Sequence, residues 1–352
     1  MKLKITTLLT LVFFAHMLSA QTILNADGPG NTYELISSVL APGHNPIEVP
    51  DCNHSNFGDH IDEVFDEDLN KHVFRFHLHV DQDDDRCINF DRQRNEIKSF
   101  DKSPNYLLGV KGETVEYNWR FKLADGFQSS PNFTHIHQLK AVGGPFAGTP
   151  MYTLTTRKGN PDKLELRYAE SGSQTTLIKE ELTPMIGEWM EVTEFIRYGY
   201  DGSYEISITR MRDQEVLFSY SDQSIINWRE GTEFVRPKWG IYRSLDNAQD
   251  LRDEEVLYSD FSIEELSVTS AQDVAELDID YANFISGNLI IRNLPPEIHK
   301  VQLFSTDGKL MIDSTIQNAS EVNLNIAGFQ SGIYAVRVVG RNIEQSKLIV
   351  VQ

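Results

Sequence analysis

An all-β chain, a sheet-on-sheet sandwich or jelly roll followed by a second, smaller sandwich, is predicted by three observations. Between Lys71 and Leu266, short runs with strand-like side-chain alternation recur every ten to fifteen residues, separated by turn residues. Helical periodicity is nearly absent over the same span. After Leu266 the composition shifts to a polar, acidic stretch, Ser267 to Ile279, and a compact second set of apolar runs follows.

Taken in order, the chain opens with Lys2 and Lys4, an apolar run from Ile5 to Leu18, and Ser19-Ala20 before Gln21. That layout is a secretory signal peptide over residues 1–20, with an apolar run too brief to span a bilayer. No later segment reaches membrane-spanning length, so no membrane span is expected. Gln21 to about His60 is rich in Gly, Pro and Asn and reads as an irregular lead-in. Runs at His72–Val80, Glu113–Leu123, Met151–Arg157, Lys163–Tyr168, Trp189–Arg197, Tyr204–Arg210, Glu215–Tyr220 and Lys238–Arg243 read as strands of a main domain covering 21–266. Residues 267–279 form a linker, and 280–352 a second domain with runs at Leu289–Arg292, Lys300–Ser305, Lys309–Asp313, Val322–Ile326, Gly332–Val339 and Lys347–Val351. Within it Thr306-Asp307-Gly308 is a hairpin turn signal.

The formal net charge of −20 disfavours a nucleic-acid partner, so any anionic ligand requires a local cluster of Lys and Arg. Cys52 and Cys87 are the only cysteines, and in an exported protein an isolated pair is most simply one disulfide, with two free thiols as the alternative.

Three stretches carry candidate chemistry. In Asn132-Phe133-Thr134-His135-Ile136-His137-Gln138-Leu139-Lys140, a strand's period of two puts His135 and His137 on one face with Phe133, and Ile136, Gln138 and Lys140 on the other. Histidine can serve as acid, base or ligand near neutrality, and the alternative is a pair of half-buried, hydrogen-bonded imidazoles. In Asp91-Arg92-Gln93-Arg94-Asn95-Glu96-Ile97-Lys98, three cations and one carboxylate share a face, either as a solvated charged surface or facing an anion. In Arg236-Pro237-Lys238-Trp239-Gly240-Ile241-Tyr242-Arg243, Lys238, Gly240 and Tyr242 share a face, and the glycine leaves a gap where a ligand could approach the backbone. Asp81-Gln82-Asp83-Asp84-Asp85 offers oxygen donors at Asp81, Asp83 and Asp85 for a structural calcium, against the alternative of a solvated acidic turn. His77 and His79 are possible metal ligands without partnered spacing, and Arg157, in Thr156-Arg157-Lys158-Gly159-Asn160, sits at a basic turn.

Two resemblances follow. The tail, through Val301-Gln302-Leu303-Phe304-Ser305-Thr306-Asp307-Gly308-Lys309, Gly332-Ile333-Tyr334-Ala335-Val336-Arg337 and Lys347-Leu348-Ile349-Val350-Val351, resembles the C-terminal sorting domain of the type IX secretion system. This implies export to the medium or cell surface, with the secretion machinery as a partner; a small sugar-binding sandwich is the rival reading. Over residues 70–265 the three stretches resemble the jelly-roll (concanavalin-like) polysaccharide lyases, the alginate, heparin and glucuronan lyases among them. Arg94-Asn95-Glu96-Ile97-Lys98 is similar to their Arg-x-Glu-x-Arg strand with Lys98 at the second arginine, His135-Ile136-His137 to Gln-Ile-His with His135 for glutamine, and Lys238-Trp239-Gly240-Ile241-Tyr242 to Lys-x-Gly-x-Tyr.

The resemblance implies β-elimination on an anionic polysaccharide. A uronate's carboxylate must be neutralised before its C5 proton can leave, with Arg94, His135 and Gln138 as candidates. His137 and Tyr242 would divide the roles of base and acid. Arg92, Glu96, Lys98, Lys140, Arg157, Lys238 and Arg243 would bind substrate, neighbouring carboxylates or sulfates included. No cofactor is required by this chemistry. Ulvan is the preferred substrate, because a type IX exporter with a lyase domain suits a degrader of algal walls; glucuronan and alginate come next. A non-catalytic carbohydrate-binding sandwich shares the fold, whereas a glycoside hydrolase would need a Glu-x-Asp-x-x-Glu strand, which is missing between Lys71 and Leu266.

Overall fold

The computed structural model describes residues 21–266 and, beyond them, 280–285, 288–294, 298–305, 309–316, 319–330, 332–340 and 344–351. The expected signal peptide, linker and Thr306-Asp307-Gly308 turn lie outside the described residues. The chain divides into two compact units, Met1–Val268 and Thr269–Gln352.

The first unit contains β1 (Gln21–Leu24), α1 (Thr32–Leu40), β2 (Ile47–Glu48), β3 (Ile61–Asp66), β4 (Lys71–Leu78), β5 (Arg92–Lys98), β6 (Thr114–Leu123), β7 (Thr134–Val142) and β8 (Tyr152–Arg157). It continues with β9 (Lys163–Tyr168), β10 (Thr175–Glu181), β11 (Met190–Arg197), β12 (Gly202–Arg210), β13 (Glu215–Ile225), β14 (Phe234–Ser244) and β15 (Glu254–Leu266). One antiparallel sheet runs β13-β12-β11-β6-β15-β4-β3, with β1 paired to β15; the other runs β10-β9-β8-β7-β14-β5-β2. Alternating apolar residues from both sheets, such as Phe74, Phe76, Trp119 and Phe121 from one and Leu139, Leu154, Trp239 and Ile241 from the other, meet in one buried core. The unit is therefore an antiparallel sandwich, the architecture that alternation predicts.

Two elements escape the alternation. The lead-in is not wholly irregular: Thr32, Ile36 and Leu40, four residues apart, form the buried stripe of a nine-residue helix. β15, central in its sheet, is hidden in the sequence because its parity changes midway. Val256 and Tyr258 are buried, and so are Phe261 and Ile263, across a bulge between Ser259 and Ser262 where Asp260 takes φ 55°. Strands β1, β2, β3 and β10 also lie outside the predicted runs.

Cys52 and Cys87 form a disulfide, as expected, joining the segment after β2 to the one before β5. In the loop-entropy picture, closing this 35-residue separation contributes about 3–4 kcal/mol.

The second unit contains β16 (Asp280–Ile285), β17 (Asn288–Arg292), β18 (Ile298–Ser305), β19 (Leu310–Thr315), β20 (Glu321–Asn325), β21 (Gly332–Gly340) and β22 (Glu344–Val351). They form a three-stranded sheet, β16-β17-β20, and a four-stranded sheet, β19-β18-β21-β22. Leu289, Ile291 and Leu324 of the first share a core with Val301, Leu303, Val336 and Val338 of the second.

Candidate functional site

Strands β5, β14 and β7 are adjacent, so the three stretches singled out in the sequence converge on one sheet. Register then decides which side chains share a face. Tyr242 stands opposite Arg94 on β5 and His135 on β7, and Lys238 stands opposite Lys98 and Gln138. The intervening Trp239 and Ile241 belong to the buried core between the sheets. Arg94, Glu96, Lys98, His135, Gln138, Lys238 and Tyr242 consequently occupy the sheet's outer face.

His137 does not join them. The pairing of β7 slips between His135 and His137 against β8, and between Trp239 and Tyr242 against β14. This bulge inserts one residue and reverses side-chain parity. His137 turns into the sandwich, 4.3 Å from the Trp119 ring and 5.5 Å from that of Trp239, and its Nε2 lies 2.9 Å from Glu194 on β11. Glu194 is fully buried and also accepts the Tyr204 hydroxyl at 2.7 Å. The expectation that His137 is a catalytic base or acid is therefore corrected: it is a core residue, and Gln138 takes the outer place. His137→Ala is expected to lower stability by about 2–4 kcal/mol, through a cavity and a weakened partner for Glu194, with turnover of the folded fraction kept. Denaturant melts alongside an activity assay check this.

His135 stacks against Phe133 at 4.8 Å and faces the Tyr242 ring at 5.8 Å. Burial pushes its imidazole down to about 3, with Arg157, Arg94 and Lys238 adding to the shift against an opposing Glu96. It is thus neutral at ordinary pH, and its Nδ1 is buried with no hydrogen-bond partner among the described residues. The Tyr242 oxygen accepts from Arg92 Nη1 at 2.9 Å, which leaves the phenol's own O–H for another acceptor. The Arg94 guanidinium lies over the Tyr242 ring at 3.7 Å, a cation–π contact that fixes both groups.

Beneath these groups is a buried ionic network. Glu96, 1% exposed, accepts from Arg94 Nη1, from Gln138 Nε2 and from Lys238 Nζ, the last at 2.6 Å. Glu48 on β2 receives Lys238 at 2.5 Å, Lys98 at 2.7 Å and Arg86 at 2.7 Å. Asp85 receives Arg94 Nε at 2.8 Å and Arg86 Nε at 2.7 Å. Burial alone would raise Glu96 and Glu48, but Lys238 and Arg94 hold both carboxylates below their ordinary range. Four cations thus meet three carboxylates, a surplus of one positive charge. Glu96 is an organiser of neighbouring cations rather than the substrate ligand expected.

Arg243, expected to bind substrate, has the opposite parity to Tyr242. It is fully buried, donating through Nε to Gln93 Oε1 at 2.7 Å and through Nη1 to the Arg252 carbonyl at 2.9 Å. Gly240 does not open a gap for a ligand. It has φ +138°, and a Cβ there would lie 2.0 Å from the Asn95 carbonyl oxygen, so the glycine admits the neighbouring strand's backbone. Arg157 remains at the edge of β8, 3.8 Å from Glu165. The Asp81, Asp83 and Asp85 carboxylates do not converge on a calcium cage. Asp81 is exposed, Asp83 meets three histidines, and Asp85 holds Arg94 and Arg86. His77 pairs with Asp62 and Glu255, whereas His79 is one of the three histidines at Asp83.

Sequence reasoning missed Glu48, Glu194 and Arg236. Glu48 lies in a Pro-rich stretch without periodicity, and Glu194 reads as an ordinary strand carboxylate. Arg236 could have been found, since it has the parity of Lys238 and stands opposite Lys140. Burial lowers both Lys140, to about 8, and Arg236; neighbouring cations, Lys238 and Arg94 included, push Lys140 further the same way. Among the described residues neither forms an ion pair with a carboxylate, so the pair is an uncompensated basic patch beside the network.

Residues 71–262 match the family described as polysaccharide lyase, and residues 281–352 match the secretion system C-terminal sorting domain. The tail is thus the signal for type IX export to the cell surface or medium. Solved structures are similar at low identity. An endo-β-1,4-glucuronan lyase from Trichoderma reesei is 15% identical over 58% of this chain and 87% of that one, with a TM-score of 0.42. An alginate lyase from Aplysia kurodai is 11% identical over 69% and 98%, with a TM-score of 0.47. Among curated proteins there is no match.

Proposed function

We propose that this chain, which belongs to the polysaccharide lyase family, cleaves a uronic-acid-containing polysaccharide by β-elimination, with His135 and Tyr242 exchanging the protons. The observation that carries this reading is the facing pair itself: an imidazole held neutral, its ring 5.8 Å from that of a phenol whose O–H has no acceptor among the described residues, over a field of anchored cations. The sugar's carboxylate would sit against Arg92 and the net positive charge held around Arg94 and Lys238, which offsets the developing enolate-like charge. His135 then takes the C5 proton, the electron pair forms the C4–C5 double bond, and Tyr242 donates its proton to the departing O4. A binding module on the same fold has no use for such a pair.

Within this class we propose ulvan as the substrate, with the Lys140–Arg236 patch taking the sulfate of a neighbouring sugar. The test is to incubate the purified chain with ulvan, glucuronan, alginate and heparin and follow the near-ultraviolet absorbance of the unsaturated uronate. Absorbance with ulvan and not with unsulfated glucuronan supports the full reading; absorbance only with glucuronan or alginate replaces the substrate. Absorbance with none of the four overturns the lyase assignment.

The charge states also predict a pH profile. His135, already neutral, gives kcat/KM no acid limb from about pH 5 to about pH 7, because kcat/KM reports the free enzyme. Lys140 loses its proton as pH rises through about 8. A polyanion favours its charged form, so substrate capture weakens above that pH, and KM rises there. Lys140→Gln is expected to remove that alkaline limb; a limb that persists in the variant refutes the assignment.

A further inference from the structure

Outside the proposed catalytic face, three imidazoles and a carboxylate converge between the segment after β2 and the turn after β4. Asp83 is buried, and its Oδ1 lies 3.0 Å from His54 Nδ1 and 3.1 Å from His60 Nε2, while its Oδ2 lies 3.1 Å from His79 Nδ1. One donor atom from each of the four residues lies within 4.8 Å of the other three. The edge of a tetrahedron with metal–ligand bonds of about 2.0–2.1 Å is about 3.3–3.4 Å, close to these contacts.

Around the four is the support that a metal centre uses. His60 turns its other nitrogen, Nδ1, to Asp51 Oδ1 at 2.7 Å, the carboxylate–histidine arrangement that fixes a ligand's tautomer and direction. The Phe57 ring covers the group, 4.3 Å from His79 and 4.8 Å from His60. The Cys52–Cys87 disulfide joins the same two segments. Both segments are short of apolar residues, and a cross-link is what such loops need.

We propose that His54, His60, His79 and Asp83 form a closed, four-ligand site for a divalent transition metal, with zinc as the ion. Three imidazole nitrogens and one carboxylate oxygen suit zinc and not a hard, oxygen-seeking cation such as calcium. With all four positions filled by protein, the ion has no place for a reacting water and acts as a staple. Its effect extends towards the outer face. Gln93 donates to the carbonyls of His79 and Asp83 at 2.6 and 3.0 Å, and Arg94 next to it takes its partner Asp85 from the same turn.

The test uses the full chain purified without a polyhistidine tag. Elemental analysis is expected to find about one zinc per chain, lost on treatment with a strong chelator. Adding Zn²⁺ back should then raise the melting temperature, and Co²⁺ should give the visible bands of a tetrahedral site. His79→Ala and Asp83→Asn should abolish metal retention, and Asp51→Asn should weaken it by about 10- to 100-fold. His77→Ala, adjacent but paired with Asp62 and Glu255, should retain it. Wild-type chain with no bound zinc and no melting shift on its addition overturns the proposal, leaving a metal-free hydrogen-bonded cluster. Undiminished zinc in a His54→Ala/His79→Ala double variant overturns it as well.

Discussion

Tyr242→Phe is expected to reduce product formation by about 10²- to 10⁴-fold, the range that a positioned proton donor contributes. The substitution removes one oxygen and leaves the ring that Arg94 and Phe133 pack against, at 3.7 and 5.2 Å, so the melting curve should barely move. The hydroxyl's only protein partner among the described residues is Arg92, which keeps its two bonds to Asp91. A kinetic defect without a folding defect is what assigns the oxygen to chemistry. His135→Ala should give a comparable loss of turnover. If either variant turns over at wild-type rate, the facing pair does not carry the reaction.

Glu96→Gln is expected to have the largest effect on stability, about 3–5 kcal/mol, because removing one partner of a buried ionic cluster leaves the others uncompensated. The carboxylate anchors Arg94, Gln138 and Lys238 together, and an amide cannot accept equally from all three. The sign of the pH dependence follows from the direction of the shift. Glu96 is held below the ordinary glutamate range, so its contribution is complete above that range and is lost as pH falls towards the folded value. Wild type should therefore lose stability on acidification more steeply than Glu96→Gln. Urea unfolding at several pH values measures both quantities. A change under about 1 kcal/mol at neutral pH would show that the cluster is solvated, not buried as its 1% exposure indicates.

The two predictions divide the outer face into a chemical layer and a supporting one, and the sequence displayed them unequally. The arginine–glutamate–lysine run on β5 and the Lys-x-Gly-x-Tyr run on β14 are regular over Arg92–Lys98 and Lys238–Tyr242, so period two groups Arg94, Glu96 and Lys98 on one side of β5 and Lys238 and Tyr242 on one side of β14, and the register of the two strands brings both sets to the same face. Their alternation also announced a sandwich, since each strand needs one side apolar to meet the other sheet. The same counting applied to β7 placed His135 and His137 together, and there it failed. Arg243 differs from Tyr242 in the same way: it is the next residue along β14, so its side chain points to the opposite face and is buried. Glu48 carried no signal at all, because a two-residue strand has no period to read.

The chain's own pattern determined that it folds as two units built on β-sheets and that the charged and histidine-bearing runs lie on strands; the pairing of its only two cysteines followed from their number. Only the tertiary structure decided which histidine faces outward, and which carboxylates lie beneath the cations. Alternation encodes facing only while each residue advances a strand by one step. A single inserted residue at Ile136–His137 costs no hydrophobicity and leaves no mark in composition, yet it sends every later side chain of β7 to the other face.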